Sequence, residues 1–76
     1  MTEQEWLDNF GFKLVTLMRE CGYNQTDLAK DSYIPRTTIN RYVHGKRMPN
    51  VKDLVALSYT LGVTFDELMD FGERVW

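Results

Sequence analysis

NQTDLAKDSYIPRTTINRYVHGKR, residues 24–47, is the stretch that decides the fold of this 76-residue chain. Asn24 suits a helix N-cap, because its side-chain oxygen can accept from the free backbone N–H groups of the first turn. Pro35 disfavours helical geometry at Ile34 and suits the start of a second helix. Gly45 readily takes a positive φ and is a natural end for that second helix. The stretch therefore predicts two short helices joined by a tight turn.

The second of these helices has two distinct faces. Ile39, Tyr42 and Val43 recur at three- and four-residue steps and predict an apolar stripe that packs inward. The outer face carries polar side chains: Arg36, Thr37, Asn40 and Arg41. These types suit base recognition, since arginine can bind guanine O6 and N7, asparagine can bind adenine N6 and N7, and threonine can contact thymine. The alternative is an ordinary solvated helix face.

The segment resembles the helix-turn-helix of phage repressors and Cro proteins, the XRE family. The residues that carry the resemblance are Gln25, Leu28-Ala29, Ile34, Ile39, Gly45-Lys46-Arg47, Pro49 and, downstream, Leu61-Gly62-Val63-Thr64 with Leu68. It covers roughly residues 10–70 and implies an all-α, five-helix, lambda-repressor-like bundle. Two positions depart from the family: Tyr33 stands where the turn usually has Gly, and Pro35 where the second helix usually has a Ser or Thr cap. Because a non-Gly residue at positive φ is strained, we expect a reshaped turn and a slightly re-aimed second helix.

Length and composition predict a single domain over residues 1–76, with a core at about 4–70 and a tail at 71–76. No apolar run approaches the ~18 residues of a membrane span, and the polar N-terminus does not resemble a signal peptide. The lone Cys21 cannot form an internal disulfide, and we expect it to be a small buried hydrophobe. These features favour a cytoplasmic protein that does not associate with membranes, and the resemblance implies that a bacterium or a phage encodes it.

Charge is distributed unevenly along the chain. The net charge is −2, which alone argues against a nucleic-acid partner. Residues 24–50, however, hold five basic side chains against two acidic ones, whereas the segments on either side are both acidic. Such asymmetry can orient a protein on a polyanion, although chance clustering on the surface is the alternative.

The flanking sequence predicts three more helices. The first spans residues 3–21 with a Thr2–Glu5 capping box; its predicted buried stripe is Leu7, Phe10, Leu14, Leu17, Met18 and Cys21. Within it Gly11 marks either close packing or a later true start of the helix. A fourth helix runs from the Asn50 cap to Gly62, and a fifth from a Thr64–Glu67 capping box to about Asp70. The C-terminal helix and tail form a candidate dimer surface, while packing of Trp76 on the first helix is the equal alternative.

Catalysis and metal binding find little support in the sequence. One histidine and one cysteine cannot assemble a zinc site, and the five glycines are dispersed rather than grouped in a phosphate-binding loop. We therefore expect no enzyme activity, no metal, no cofactor and no small-molecule substrate.

The resemblance implies specific DNA contacts. It places base contacts at Arg36, Thr37 and Arg41, and the residue type adds Asn40. Contacts to phosphates are expected from Gln25, Tyr33, Thr38, His44, Lys46 and Arg47. Thr38 has local capping as an alternative role, and Tyr33 could instead be an aromatic plug over the turn.

The function predicted is that of a sequence-specific regulator of transcription that binds double-stranded DNA, a repressor that occupies an operator. Since one domain covers only a half-site, we expect a homodimer on a palindromic operator. The alternative is a protein–protein interaction module of the same fold, of the antitoxin or anti-repressor type, with weak DNA binding.

Overall fold

A computed structural model of the chain describes residues 1–72, and within this range it contains five α-helices and no β-strand. The helices are α1 (Glu3–Cys21), α2 (Gln25–Ser32), α3 (Arg36–Val43), α4 (Val51–Leu61) and α5 (Phe65–Leu68). The all-α, five-helix prediction is confirmed. α1 and α4 have their predicted bounds, whereas α5 ends at Leu68 rather than near Asp70.

Side-chain caps begin four of the five helices. The N-cap oxygens of Thr2, Asn24, Asn50 and Thr64 each accept from the backbone N–H three residues on. The Thr2–Glu5 pair forms the full predicted capping box. The second predicted box is only half made, because the Glu67 carboxylate lies 3.4 Å from the Lys13 ammonium and so ties α5 to α1.

The turn between α2 and α3 is built on Tyr33. This residue adopts the left-handed conformation itself, with φ 61° and ψ 25°. Because a Cβ atom makes this conformation unfavourable, the Tyr33 backbone bears the energetic cost of the turn. The expected reshaping of the turn and re-aiming of α3 stay predictions. α3 follows with Pro35 as its N-cap residue and without a side-chain cap.

One hydrophobic core lies between the helices. Its fully buried side chains come from every helix: Phe10, Leu14, Leu28, Ile39, Tyr42, Leu57 and Leu68. The predicted stripe of α1 is buried except at Cys21, which is exposed at the last residue of the helix, where its thiol lies 3.3 Å from the Leu61 carbonyl oxygen. The expectation of a buried cysteine was wrong, because the helix ends before its stripe reaches the core again.

Gly11 allows α1 and α3 to come into backbone contact. A Cβ atom built on Gly11 would lie 2.5 Å from the Val43 carbonyl oxygen and 2.8 Å from that of Tyr42. Only a residue without a side chain fits there, so close packing is the correct interpretation of this glycine. The alternative of a late helix start is wrong, since α1 already begins at Glu3.

Candidate nucleic-acid interface

The outer face of α3 brings together all four predicted base-contacting side chains. Arg36, Thr37, Asn40 and Arg41 are all exposed. Together with Gln25 of α2 they line one shallow surface depression, which we call the α3 surface. A helix displayed in this way has the dimensions needed to enter the major groove of a DNA duplex.

Two buried side chains hold α3 in place beneath this surface. Ile39 and Tyr42 are both fully buried, and Val43 packs at the edge of the core. The ring of Tyr42 contacts that of Phe10 edge-on, with ring centroids 6.1 Å apart. The predicted inward stripe of α3 is therefore confirmed, and it leaves the arginines on the opposite side of the helix.

A polar contact that the sequence did not reveal ties the end of α3 to the start of α4. The Tyr42 hydroxyl donates a hydrogen bond to the carboxylate of Asp53. Burial, and then this hydrogen bond, raise the pKa of Tyr42 well above its ordinary value of 10.0. The available signal was the residue type, because a tyrosine in a buried stripe usually needs a partner for its hydroxyl.

The segment after α3 displays more basic charge. Gly45 takes φ 66°, and the Lys46 backbone N–H donates to the Arg41 carbonyl at 2.8 Å, which closes the end of the helix. Lys46 and Arg47 are exposed just beyond this turn. The side-chain amide of Gln4, in α1, donates to the Gly45 carbonyl at 3.1 Å, so this turn is also bound to α1.

The other predicted phosphate contacts differ in exposure. Tyr33 is 93% exposed at the tip of the turn, so it does not act as a plug against the core. His44 is exposed, and its Nδ1 lies 2.8 Å from the Asn40 carbonyl oxygen. Thr38 is half-buried; its hydroxyl does not cap α3, because the N-cap of this helix has no side-chain hydrogen bond. Gln25 is half-buried at the first residue of α2.

The basic side chains of this region are not engaged in ion pairs within the described part of the chain. The salt bridge found in residues 1–72 joins Lys13 to Glu67 and lies elsewhere. Arg36, Arg41 and Lys46 are therefore available to an external anion. Exposed positive charge of this kind attracts the phosphates of a nucleic acid.

Residues 1–72 contain neither a metal-binding cluster nor a membrane-spanning helix. No group of three or more His, Cys, Asp or Glu side chains is arranged there to hold a metal ion. No helix in that range is long and apolar enough to cross a bilayer.

Comparisons with known proteins agree with this geometry. A family model described as helix-turn-helix matches residues 15–68. A curated relative, the HTH-type transcriptional activator BcrR of Enterococcus faecalis, is 35% identical over 66 residues, which is 87% of this chain. The chain spans only 32% of the length of that relative.

A solved structure shares the fold. The restriction-modification controller protein C.AhdI from Aeromonas hydrophila superposes with a TM-score of 0.79 at 27% sequence identity, over 82% of this chain and 94% of that one. The family and the fold are those of DNA-binding regulators of transcription. With the match covering α2, α3 and α4, the chain belongs to the XRE-type helix-turn-helix family.

Proposed function

We propose that this chain is a sequence-specific regulator of transcription that places α3 in the major groove of an operator. The observation that carries the proposal is the α3 surface itself, where Arg36, Asn40 and Arg41 are exposed together and the arginines have no ion-pair partner within residues 1–72. Arg36, Thr37, Asn40 and Arg41 contact base edges in this proposal. The whole chain acts as one DNA-binding domain, in the cytoplasm, where the operator is.

Contacts to the DNA backbone set the register of α3 on the duplex. In this proposal Gln25, Tyr33, Thr38, His44, Lys46 and Arg47 contact phosphates. Such contacts carry affinity and orientation rather than sequence information. Tyr33 precedes α3 and Lys46 and Arg47 follow it, and this supports the proposal, since side chains on each side of a helix in the groove meet the two flanking strands.

The regulation proposed is repression by occupancy. A domain seated on an operator that overlaps a promoter blocks polymerase and requires no catalytic group, metal or cofactor of its own. The relative from Enterococcus faecalis is named as an activator, and it is three times as long as the matched region. In vitro transcription from a promoter that contains the selected site distinguishes the two: lower transcript yield supports repression, and higher yield contradicts it.

A second copy of this chain completes the site. Val51, Val55 and Tyr59 are exposed at four-residue steps along α4, and Phe65 of α5 is exposed as well. This apolar stripe, which we call the α4 stripe, points to a two-fold contact that presents two α3 helices to half-sites about 34 Å apart. Of the tail predicted for this role, Phe71 packs edge-on against Trp6, and residues 73–76 lie outside the described range.

Sedimentation of Val55→Glu tests the dimer. The variant places a charge in the middle of the α4 stripe, so we expect it to sediment as a monomer and to bind a palindromic duplex more weakly. Phe12→Glu is the matched control, because Phe12 is 75% exposed on α1 and is not part of the α4 stripe. Dissociation of both variants, or of neither, would contradict the α4 stripe as the interface.

A salt series tests DNA binding against the protein-interaction alternative. Duplexes are first selected from a random library on the wild-type protein, and the affinity for the best one is then measured from low to moderate salt. We expect a steep loss of affinity, because several phosphate contacts displace condensed counterions. Weak binding with little salt dependence would favour a module that binds a protein partner through the same fold.

A further inference from the structure

The first turn of α1 is bound to the turn that follows α3. The side-chain nitrogen Nε2 of Gln4 donates to the Gly45 carbonyl oxygen at 3.1 Å and to Asp8 Oδ1 at 2.9 Å. An amide nitrogen carries two N–H groups, so both donors of this side chain are in use. Gln4 and Asp8 precede residues 15–68, the segment that matches the family. The contact therefore depends on residues outside the matched segment.

The turn after α3, residues 44–47, lies directly against α1, and we call it the Gly45 turn. A Cβ atom built on Gly45 would lie 2.5 Å from Asp8 Oδ1 and 3.3 Å from Gln4 Nε2. Gly45 also takes φ 66° and is buried. Glycine allows the chain both this conformation and this close approach. The backbone of the Gly45 turn is thus held against two polar side chains of α1.

One peptide unit of the Gly45 turn is fixed at both of its polar groups. The Gly45 carbonyl oxygen accepts from Gln4. The N–H of the same peptide unit, which belongs to Lys46, donates to the Arg41 carbonyl oxygen at 2.8 Å. Because a peptide unit is planar, these two hydrogen bonds together fix the plane that ends at the Cα atom of Lys46. The exposed Lys46 side chain therefore starts from a fixed point.

Gln4 supplies a donor that two acceptors share. The Asp8 carboxylate and the Gly45 carbonyl oxygen both accept from its Nε2. Without that nitrogen neither oxygen has this donor, and the negative charge of the carboxylate repels the carbonyl oxygen. Loss of the Gln4 amide therefore favours movement of the Gly45 turn away from α1.

We propose that Gln4 is a positioning residue for phosphate binding, which holds the Gly45 turn so that Lys46 meets the DNA backbone. This inference rests on the proposed DNA-binding function. Gln4 acts through the Gly45 carbonyl and does not itself contact DNA. A side chain that starts from a fixed backbone loses less conformational entropy on binding, so a held turn binds phosphate more tightly than a mobile one.

Two double-mutant cycles on DNA affinity test the proposal. The wild-type protein first selects a site from random duplex DNA. Gln4→Ala, Lys46→Ala and the double variant are then titrated against that duplex at one salt concentration, because residues that act together give non-additive losses. The second cycle pairs Gln4→Ala with Arg36→Ala, since Arg36 lies at the other end of α3. Local positioning couples Gln4 to Lys46 alone.

The expected results separate local positioning from general support of the fold. Gln4→Ala should weaken binding to the selected duplex and to a scrambled one by the same factor. The loss caused by Lys46→Ala should be about 3-fold or more smaller in the Gln4→Ala background, the low end for residues in one network. The loss caused by Arg36→Ala should be the same in both backgrounds. Asn9→Ala is the matched control and should bind as the wild type does, because it removes from α1 an amide whose nitrogen contacts the Met1 sulfur. Urea unfolding shows that each variant is folded during the titration.

Three results would overturn the inference. One is wild-type affinity in Gln4→Ala, and another is a Lys46→Ala loss that is equal with and without Gln4. The third is coupling of Gln4 to Arg36 as strong as its coupling to Lys46, which would mean that Gln4 supports the whole domain. Failure of the proposed function is distinguishable, because the wild-type protein itself would then select no sequence.

Discussion

Gly11 of α1 and Val43 of α3 meet so closely that a Cβ atom on the glycine would lie 2.5 Å from the valine carbonyl oxygen. The contact sets the distance between the longest helix and the helix whose outer face carries Arg36 and Arg41. Because backbone meets backbone here, no side-chain rotation can relieve an added atom. The position of the α3 surface therefore depends on a residue of α1 that packs against the backbone of α3.

Gly11→Ala should destabilise the fold. Alanine gains up to about 1 kcal/mol of helix propensity over glycine, but overpacking against backbone costs about 1–3 kcal/mol, so we expect a net loss. Urea unfolding measures it. Glu20→Ala, on the exposed face of the same helix, is the control and should change stability by less than about 0.5 kcal/mol. A Gly11→Ala protein more stable than the wild type would show that α1 and α3 can separate without cost.

Tyr42→Phe should also destabilise the protein, through its hydrogen bond. The phenylalanine ring still fills the same place in the core, but the half-buried Asp53 carboxylate loses its hydrogen-bond donor. A loss of about 1–3 kcal/mol in the free energy of unfolding is expected. Tyr33→Phe removes a hydroxyl from a tyrosine that is 93% exposed and should leave the free energy of unfolding nearly unchanged. Equal losses of unfolding free energy in the two variants would contradict a stabilising hydrogen bond between Tyr42 and Asp53.

The same hydroxyl predicts a loss of stability in alkali. The pKa of Tyr42 is raised above its unfolded value of 10.0, so the unfolded chain loses this proton at a lower pH than the folded one. Stability from this group is complete below pH 10 and decreases as pH rises above it, at no more than about 1.4 kcal/mol per pH unit. Unfolding of Tyr42→Phe at pH 8 and near pH 10.5 should show a smaller decrease than the wild type. An identical decrease in both proteins would contradict the raised pKa.

Tyr33→Gly should raise stability and lower DNA affinity. A left-handed residue with a side chain costs about 1–2 kcal/mol, which glycine would relieve. The greater freedom of glycine in the unfolded chain offsets part of this stabilisation. We expect a net increase of up to about 1 kcal/mol in the free energy of unfolding, measured by thermal unfolding. Affinity should fall on all duplexes alike, and Tyr33→Phe should share this loss without the gain in stability. Unchanged DNA affinity in both variants would mean that the Tyr33 hydroxyl contacts no phosphate.

Lys46→Ala should weaken DNA binding uniformly. A lysine on a phosphate adds affinity without reading sequence, so the loss should be the same on the selected site and on a scrambled duplex. The slope of log affinity against log salt should become shallower by about 1. Phosphate contact by Lys46 would be contradicted if the slope were unaltered.

Local chemistry explains which parts of the fold could be predicted from sequence. The caps at Thr2, Asn24 and Asn50 were predicted correctly, because a cap depends only on residues within one turn. The stripe of α3 was also correct, since helical periodicity is a local property.

Features that depend on tertiary contacts could not be predicted in the same way. The role of Gly11 required knowledge of what lies opposite it, and Cys21 was expected in the core although its helix ends before reaching it. On α4, Val51 and Val55 are exposed whereas Leu54 and Leu57 are buried, although all four are apolar. The hydrogen bond from Asn40 to Gln25 joins two helices, and no spacing in the sequence indicates it. The individual DNA contacts stay predictions.

The central claim is that α3 reads base sequence, and site selection by the wild-type protein and by Arg41→Ala tests it most directly. Selection from random duplex DNA should yield for the wild type a palindrome whose half-sites lie about one helical turn apart. Arg41→Ala should enrich the same palindrome with the preference relaxed at one position per half-site, at a cost of about 1–3 kcal/mol. An enriched sequence that is identical for both proteins, or no enriched sequence for either, would contradict the claim.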